Sequence, residues 1–81
     1  MKIIVYKKSG CPWAAAVEAF LKALDVPFQS RDMIANPQYL REAEEKSGQS
    51  RSPTVDIDGT ILPDASVEDV AEALEEAGIR T

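Results

Sequence analysis

Residues Ile3 to Tyr6 read Ile-Ile-Val-Tyr, an apolar and mostly β-branched run with no polar residue interleaved. A strand that alternates can turn one face to water, but a continuous apolar run cannot, so Lys2 to Tyr6 is expected to form a strand buried on both faces. At 81 residues the chain is expected to be one domain, 1–81, near the lower size limit for folding without metals or disulfides. Its core must be economical.

The strand is closed by Lys-Lys-Ser-Gly, and Cys11-Pro12 follows. Pro suits a first helical turn because its missing N–H is not needed there. Val17, Phe20, Leu21 and Leu24 then recur at helical spacing, predicting a helix from Pro12 to Ala23 that Asp25-Val26-Pro27 ends. Phe28 to Met33 alternates enough for a short second strand. Asn36-Pro37 opens a second helix, Pro37 to Ser47, with Glu42 and Lys46 expected to pair on a solvated face and Gly48 as its C-cap. Pro53 to Ile57, Asp58-Gly59 and Thr60 to Leu62 read as a hairpin, since Asp-Gly supplies the positive φ angles of a two-residue turn. Ser66 caps a third helix with Asp69 three residues on, and Val67, Val70, Ala71, Leu74 and Ala77 form its expected core stripe. The order is β-α-β-α-β-β-α.

Absent residues remove whole mechanisms. Without His there is no Ser-His or Cys-His catalysis and no His-ligated metal, and no metal site is expected. One Cys allows no intramolecular disulfide and no cluster held by the thiols of one chain. A net charge of -5 argues against nucleic acid as a partner. No apolar stretch is long enough for a membrane span, and the four-residue run between lysines is too short for a signal peptide, so a cytoplasmic location is expected. From Asp56 onward eight acidic residues stand against Arg80, whereas Lys7, Lys8 and Arg51 form an expected basic spot suited to a small anionic ligand.

Three features make Cys11 a candidate nucleophile. It precedes a helix, where unpaired N–H groups and the positive end of the helix dipole favour thiolate. Lys8, three residues upstream, can bring a cation near, and Trp13 adds an apolar, stackable surface.

The segment Ile3-Ile4-Val5-Tyr6-Lys7-Lys8-Ser9-Gly10-Cys11-Pro12-Trp13 resembles the start of a glutaredoxin, in which a strand is followed by Lys-x-Gly-Cys-Pro-Tyr-Cys. Ser47 to Gly59, Ser-Gly-Gln-Ser-Arg-Ser-Pro-Thr-Val-Asp-Ile-Asp-Gly, resembles the family's Thr-Gly-Gln-x-Thr-Val-Pro segment and its following hairpin. The resemblance implies an α/β thioredoxin-like fold with a four-stranded mixed sheet flanked by helices. It also implies that Pro53 is a cis proline facing Cys11 and that Ser52 offers backbone groups to an extended thiol substrate. Lys8 and Arg51 become partners for a substrate carboxylate, Trp13 takes the position of an aromatic, and Ser66 is a further candidate for binding a carboxylate.

Two departures matter. Ala14 stands where dithiol members have a second Cys, giving Cys-Pro-Trp-Ala, so exchange would follow a monothiol route. Pro63-Asp64 stands where the family usually has Gly-Gly, which implies weaker glutathione binding. The implied function is a monothiol thiol–disulfide oxidoreductase acting through Cys11 on glutathione mixed disulfides or protein thiols. Glutathione would be a co-substrate with no bound cofactor, and the protein a monomer or weak homodimer. Two alternatives stay open. One is an iron–sulfur carrier in which two chains each give Cys11 and two glutathiones complete the ligand set; Pro12 and Trp13 disfavour it, because cluster-carrying members mostly have Gly-Phe-Ser after the Cys. The other is a redox-inactive binding module.

Overall fold

The computed structural model describes residues 1–79, so Arg80 lies outside the described residues. Seven elements follow in the expected order: β1 (Ile3–Lys7), α1 (Pro12–Ala23), β2 (Gln29–Asp32), α2 (Pro37–Ser47), β3 (Thr54–Ile57), β4 (Thr60–Leu62) and α3 (Val67–Glu76). They build one mixed sheet in the order β2-β1-β3-β4. β1 runs parallel to β2 and antiparallel to β3, which pairs antiparallel with β4.

As the central strand with strands on either side, β1 sends alternate residues to opposite faces. Ile3 and Val5 join Val17 and Leu21 of α1, Val55 and Ile57 of β3, and Val70 and Leu74 of α3 in the larger core. Ile4 and Tyr6 face the other way, against Met33 and Ala43, with Tyr39 and Leu40 of α2 packed alongside. Three helices are therefore divided two and one across the sheet. At its far end the hairpin turns through Asp58 (φ 49°) and Gly59 (φ 90°), the two positive angles that an Asp-Gly turn was expected to supply.

Local signals were reliable at helix ends. Asn36 accepts from the Gln38 N–H at 3.0 Å, and Gly48 closes α2. Ser66 and Asp69 exchange hydrogen bonds of 3.0 and 3.1 Å in a reciprocal capping box. Strand limits shifted by a residue. β3 begins at Thr54 because Pro53 has no N–H for the ladder, and β2 is shorter than Phe28 to Met33, those two residues turning into the larger and smaller cores respectively. In α3, Ala77 is the C-cap and exposed, while Ala73 packs on the core in its place.

One expectation is corrected. Glu42 and Lys46 do not pair with each other on a solvated face; they straddle the hydroxyl of fully buried Tyr6. That hydroxyl donates to Glu42 Oε1 at 2.9 Å and accepts from Lys46 Nζ at 2.8 Å and Arg31 Nη1 at 3.3 Å. One donor and two lone pairs are thereby used in full. Arg31 also meets Glu42 at 2.6 Å, and Lys46 meets Asp56 at 2.8 Å. The i,i+4 spacing was read correctly as one helix face, but that face lies over the sheet, where Arg31 and Asp56 outcompete the intrahelical pair.

Burial opposes charge on Glu42, yet its hydrogen bonds to Tyr6 and Arg31 prevail and hold its carboxyl below the usual range. Burial likewise opposes charge on Lys46, and its bonds to Asp56 and Tyr6 raise its ammonium above the usual range. The stabilisation from Glu42 is complete above the ordinary carboxylate pKa and is lost as pH falls through the lowered one. That from Lys46 is complete below the ordinary lysine pKa and is lost as pH rises through the raised one. Tyr6→Phe should lower the free energy of unfolding by about 1–3 kcal/mol, because three polar partners each lose a partly buried bond. Urea denaturation at neutral pH measures the loss. The variant should also lose part of the acid and alkaline dependence of stability.

Candidate functional site

The site begins where β1 ends. Lys8 to Cys11 form a turn closed by the Cys11 N–H to the Lys8 carbonyl at 3.1 Å, and Gly10 at its third position takes φ 83°, which a side chain would resist. Ser9 anchors this turn to β2 by hydrogen-bonding Asp32, whose Oδ1 also accepts the N–H groups of Ile34 and Ala35 at 2.8 and 3.1 Å. Those three donors, Ser9 foremost, hold the Asp32 carboxyl below the usual range. Cys11 is then the N-cap of α1, with Pro12 in the first turn.

Opposite the turn lies the loop before β3. The Lys8 N–H donates to Ser52 Oγ at 3.0 Å, and Cys11 Sγ donates to the Ser52 carbonyl at 3.6 Å. The Ser52-Pro53 peptide is cis, as the resemblance implied. The Pro53 carbonyl accepts the Ala65 N–H at 2.8 Å, drawing the β4–α3 loop to the same place. Gln49 steadies the loop through Thr54 Oγ1 at 3.0 Å and through the Arg51 N–H.

Cys11 is partly exposed and free. Burial, the largest single influence, raises its pKa. The Ser52 side chain and the N–H groups of Ala14 and Trp13 lower it, the Asp64 carboxylate raises it, and the balance is a thiol below its ordinary value. The thiol closes no capping bond onto the helix, yet the N–H groups of its first turn favour the thiolate. The groups that favour the thiolate are hydrogen-bond donors.

The candidates from sequence fall into three sets. Cys11, Ser52 and the backbone of Lys8 meet directly, and Pro53 follows Ser52 across the cis bond. Trp13 adjoins Cys11 and is 70% exposed, open to contact. Arg51 reaches Asp64 at 3.5 Å, in a pair whose side chains are 76% and 52% exposed, whereas Ser66 closes on Asp69. The expected basic spot is therefore largely neutralised within the chain, since Lys7 is also paired, with Glu18 at 3.1 Å, and Glu18 takes a further bond from Ser30 at 2.5 Å. Sequence reasoning missed Asp32 and Glu18, which line a groove of about 370 Å³ beside Cys11. Asp32 lies too far along the chain for a local pattern to reveal, whereas Glu18 lies on α1 with Ala14 and Ala15 facing the same groove, a helical spacing from Cys11 that could have found it.

Two substitutions should move the titration of Cys11 in opposite directions. Ser52→Ala removes a donor to the thiolate and should raise the pH midpoint of Cys11 alkylation, whereas Asp64→Asn removes a nearby anion and should lower it. Rates of iodoacetamide labelling across pH measure both.

Comparison with known proteins agrees with this geometry. Residues 3–62 match the glutaredoxin family model. An uncharacterized glutaredoxin-like 8.6 kDa protein in the rubredoxin operon of Clostridium pasteurianum is 28% identical over 60 residues, covering 74% of this chain and 80% of that protein. The crystal structure of a thioredoxin-like protein superposes with a TM-score of 0.83 at 26% identity, covering 89% of this chain and 97% of that one. A glutaredoxin from Archaeoglobus fulgidus gives 0.79 at 19% identity, over 89% and 84% of the two chains. The fold is thioredoxin-like, as the resemblance implied, and the chain belongs to the glutaredoxin family.

Proposed function

We propose that this chain is a monothiol thiol–disulfide oxidoreductase acting through Cys11 on glutathione mixed disulfides or protein thiols. The observation that carries the reading is the placement of a partly exposed thiol with a lowered pKa at the start of α1, against the Ser52 carbonyl of the cis Ser52-Pro53 peptide. In the first step the Cys11 thiolate attacks the glutathionyl sulfur of a mixed disulfide. The old S–S bond breaks, a new one forms to Cys11, and the leaving thiolate takes the electron pair and a proton from water. A second glutathione thiolate then attacks the glutathionyl sulfur, restoring the Cys11 thiolate and leaving with the first as oxidised glutathione. Ala14, only 1% exposed, sits one turn into α1 where a resolving Cys would stand, so the second thiol must come from outside the chain.

Ser52 and Pro53 would receive the extended part of the substrate, and Trp13 would stack on it. Lys8 is the candidate for a substrate carboxylate; Arg51 and Ser66 would first have to leave their internal partners. The setting we propose is a monomer or weak homodimer in the cytoplasm, consistent with a lone unpaired thiol. No helix among the described residues is long and apolar enough to cross a membrane.

Exposure to oxidised glutathione should add one glutathionyl group to the chain, seen by mass spectrometry, and reduced glutathione should remove it slowly. Cys11→Ser should accept none. An unmodified wild-type chain would sink the proposal. Ala14→Cys should close an internal disulfide on oxidation, losing both free thiols, because the N-cap and the third helical residue lie within sulfur–sulfur reach.

A further inference from the structure

The groups around Cys11 that would receive an anionic substrate are mostly occupied by carboxylates of the chain itself. Arg51 Nη1 lies 3.5 Å from Asp64 Oδ2. The N–H of Ser66, at the start of α3, is 3.0 Å from Asp69 Oδ2, and Ser66 Oγ accepts the Asp69 N–H in return. Both lie on segments drawn toward the thiol: Ser52, next to Arg51, accepts from Cys11 Sγ, and Ala65, between Asp64 and Ser66, donates to the carbonyl of Pro53. Asp64 is held there by its backbone: it adopts φ 50°, a left-handed conformation that Asp tolerates through its short polar side chain. Its carboxylate also acts on the sulfur, opposing ionisation of Cys11.

From this arrangement we infer that Asp64 is a specificity-determining residue that turns Cys11 away from disulfides carrying a carboxylate near the sulfur and toward neutral or basic ones, such as a protein disulfide flanked by Lys or Arg. The inference rests on the proposed exchange chemistry and narrows its substrate class. An incoming carboxylate must displace Asp64 from Arg51 and remain beside it, whereas an incoming ammonium gains a partner. The step is that of the first exchange: Cys11 thiolate displaces one thiolate from the disulfide, and no reductant is needed for a single turnover. The Arg51–Asp64 pair is exposed, so the bias is modest in size and screened by salt.

The test uses the full chain in single-turnover reactions with three small disulfides, monitored as Cys11 adducts by mass spectrometry. Cystamine is cationic, bis(hydroxyethyl) disulfide neutral and dithiodipropionate anionic. Referring each rate to the neutral compound cancels changes in thiolate fraction. At low ionic strength the wild type should react faster with cystamine than with dithiodipropionate after each rate is divided by that of a free model thiol. Asp64→Asn, which preserves the left-handed backbone and frees Arg51, should reduce the cation-to-anion ratio by roughly fivefold. High salt should abolish the difference. Asp58→Asn is the control, since it removes the same charge at a left-handed position in the hairpin turn, beside Lys2 at the opposite end of β1.

A ratio unchanged by Asp64→Asn, or changed equally by Asp58→Asn, overturns the inference while leaving the exchange chemistry standing. Failure of Cys11 to react with all three disulfides overturns both.

Discussion

Strand β1 has no face toward water, and the rest of the structure is arranged around that constraint. Its apolar run must be covered on both sides, so the chain places α1 and α3 on one face and α2 on the other. Its backbone must also be paired on both edges, so β2 and β3 flank it. The carboxyl end of β1 then opens directly into the Lys8-to-Cys11 turn, and the start of the antiparallel β3 returns to the same end of the sheet. Cys11 and Ser52 meet because the two strands beside them are neighbours running in opposite directions, with Tyr6 paired to Thr54.

Charge is handled differently on the two sides of this frame. Under α2, Arg31, Glu42, Lys46 and Asp56 are gathered around the Tyr6 hydroxyl and partly withdrawn from water. A hydroxyl whose donor and lone pairs are all used gives that packing a single preferred arrangement, and the rings of Tyr6 and Tyr39 lie 5.8 and 5.4 Å from the Arg31 guanidinium carbon. Beside the thiol the Arg51–Asp64 pair is the exposed one, with its side chains 76% and 52% open to solvent, whereas Lys7–Glu18 is as withdrawn as the pairs under α2. The exposed pair is worth about 0–1 kcal/mol, yet the Asp64 carboxylate acts on the sulfur of Cys11.

The lowered pKa of Cys11 follows from fixed geometry. Thiolate formation is favoured by N–H groups that the end of any helix leaves unpaired and by one hydroxyl held by the Lys8 backbone. The turn that presents the sulfur is held from β2 by Ser9 and Asp32. A flexible lysine would lose rotamer freedom in order to act, whereas these donors are already placed by the fold.

What the sequence by itself determined was whatever depends on near neighbours. The buried run at Ile3 to Tyr6, the Pro12 and Pro37 helix starts, the Asp58-Gly59 turn and the Ser66–Asp69 box each involve residues within a few positions, and each is found as read. The position of Cys11 at a loop-to-helix junction was legible for the same reason. Only the tertiary structure decided the partners of the charged side chains. Lys7 with Glu18, Ser9 with Asp32, Arg31 with Glu42, Lys46 with Asp56 and Arg51 with Asp64 are chosen by strand order, register and helix docking. A long side chain can reach many carboxylates from an extended chain. Which one it meets is settled when the fold brings separate segments within a few ångströms, and that is why two of the three cations of the basic spot read from sequence, Lys7 and Arg51, are already paired in the folded protein.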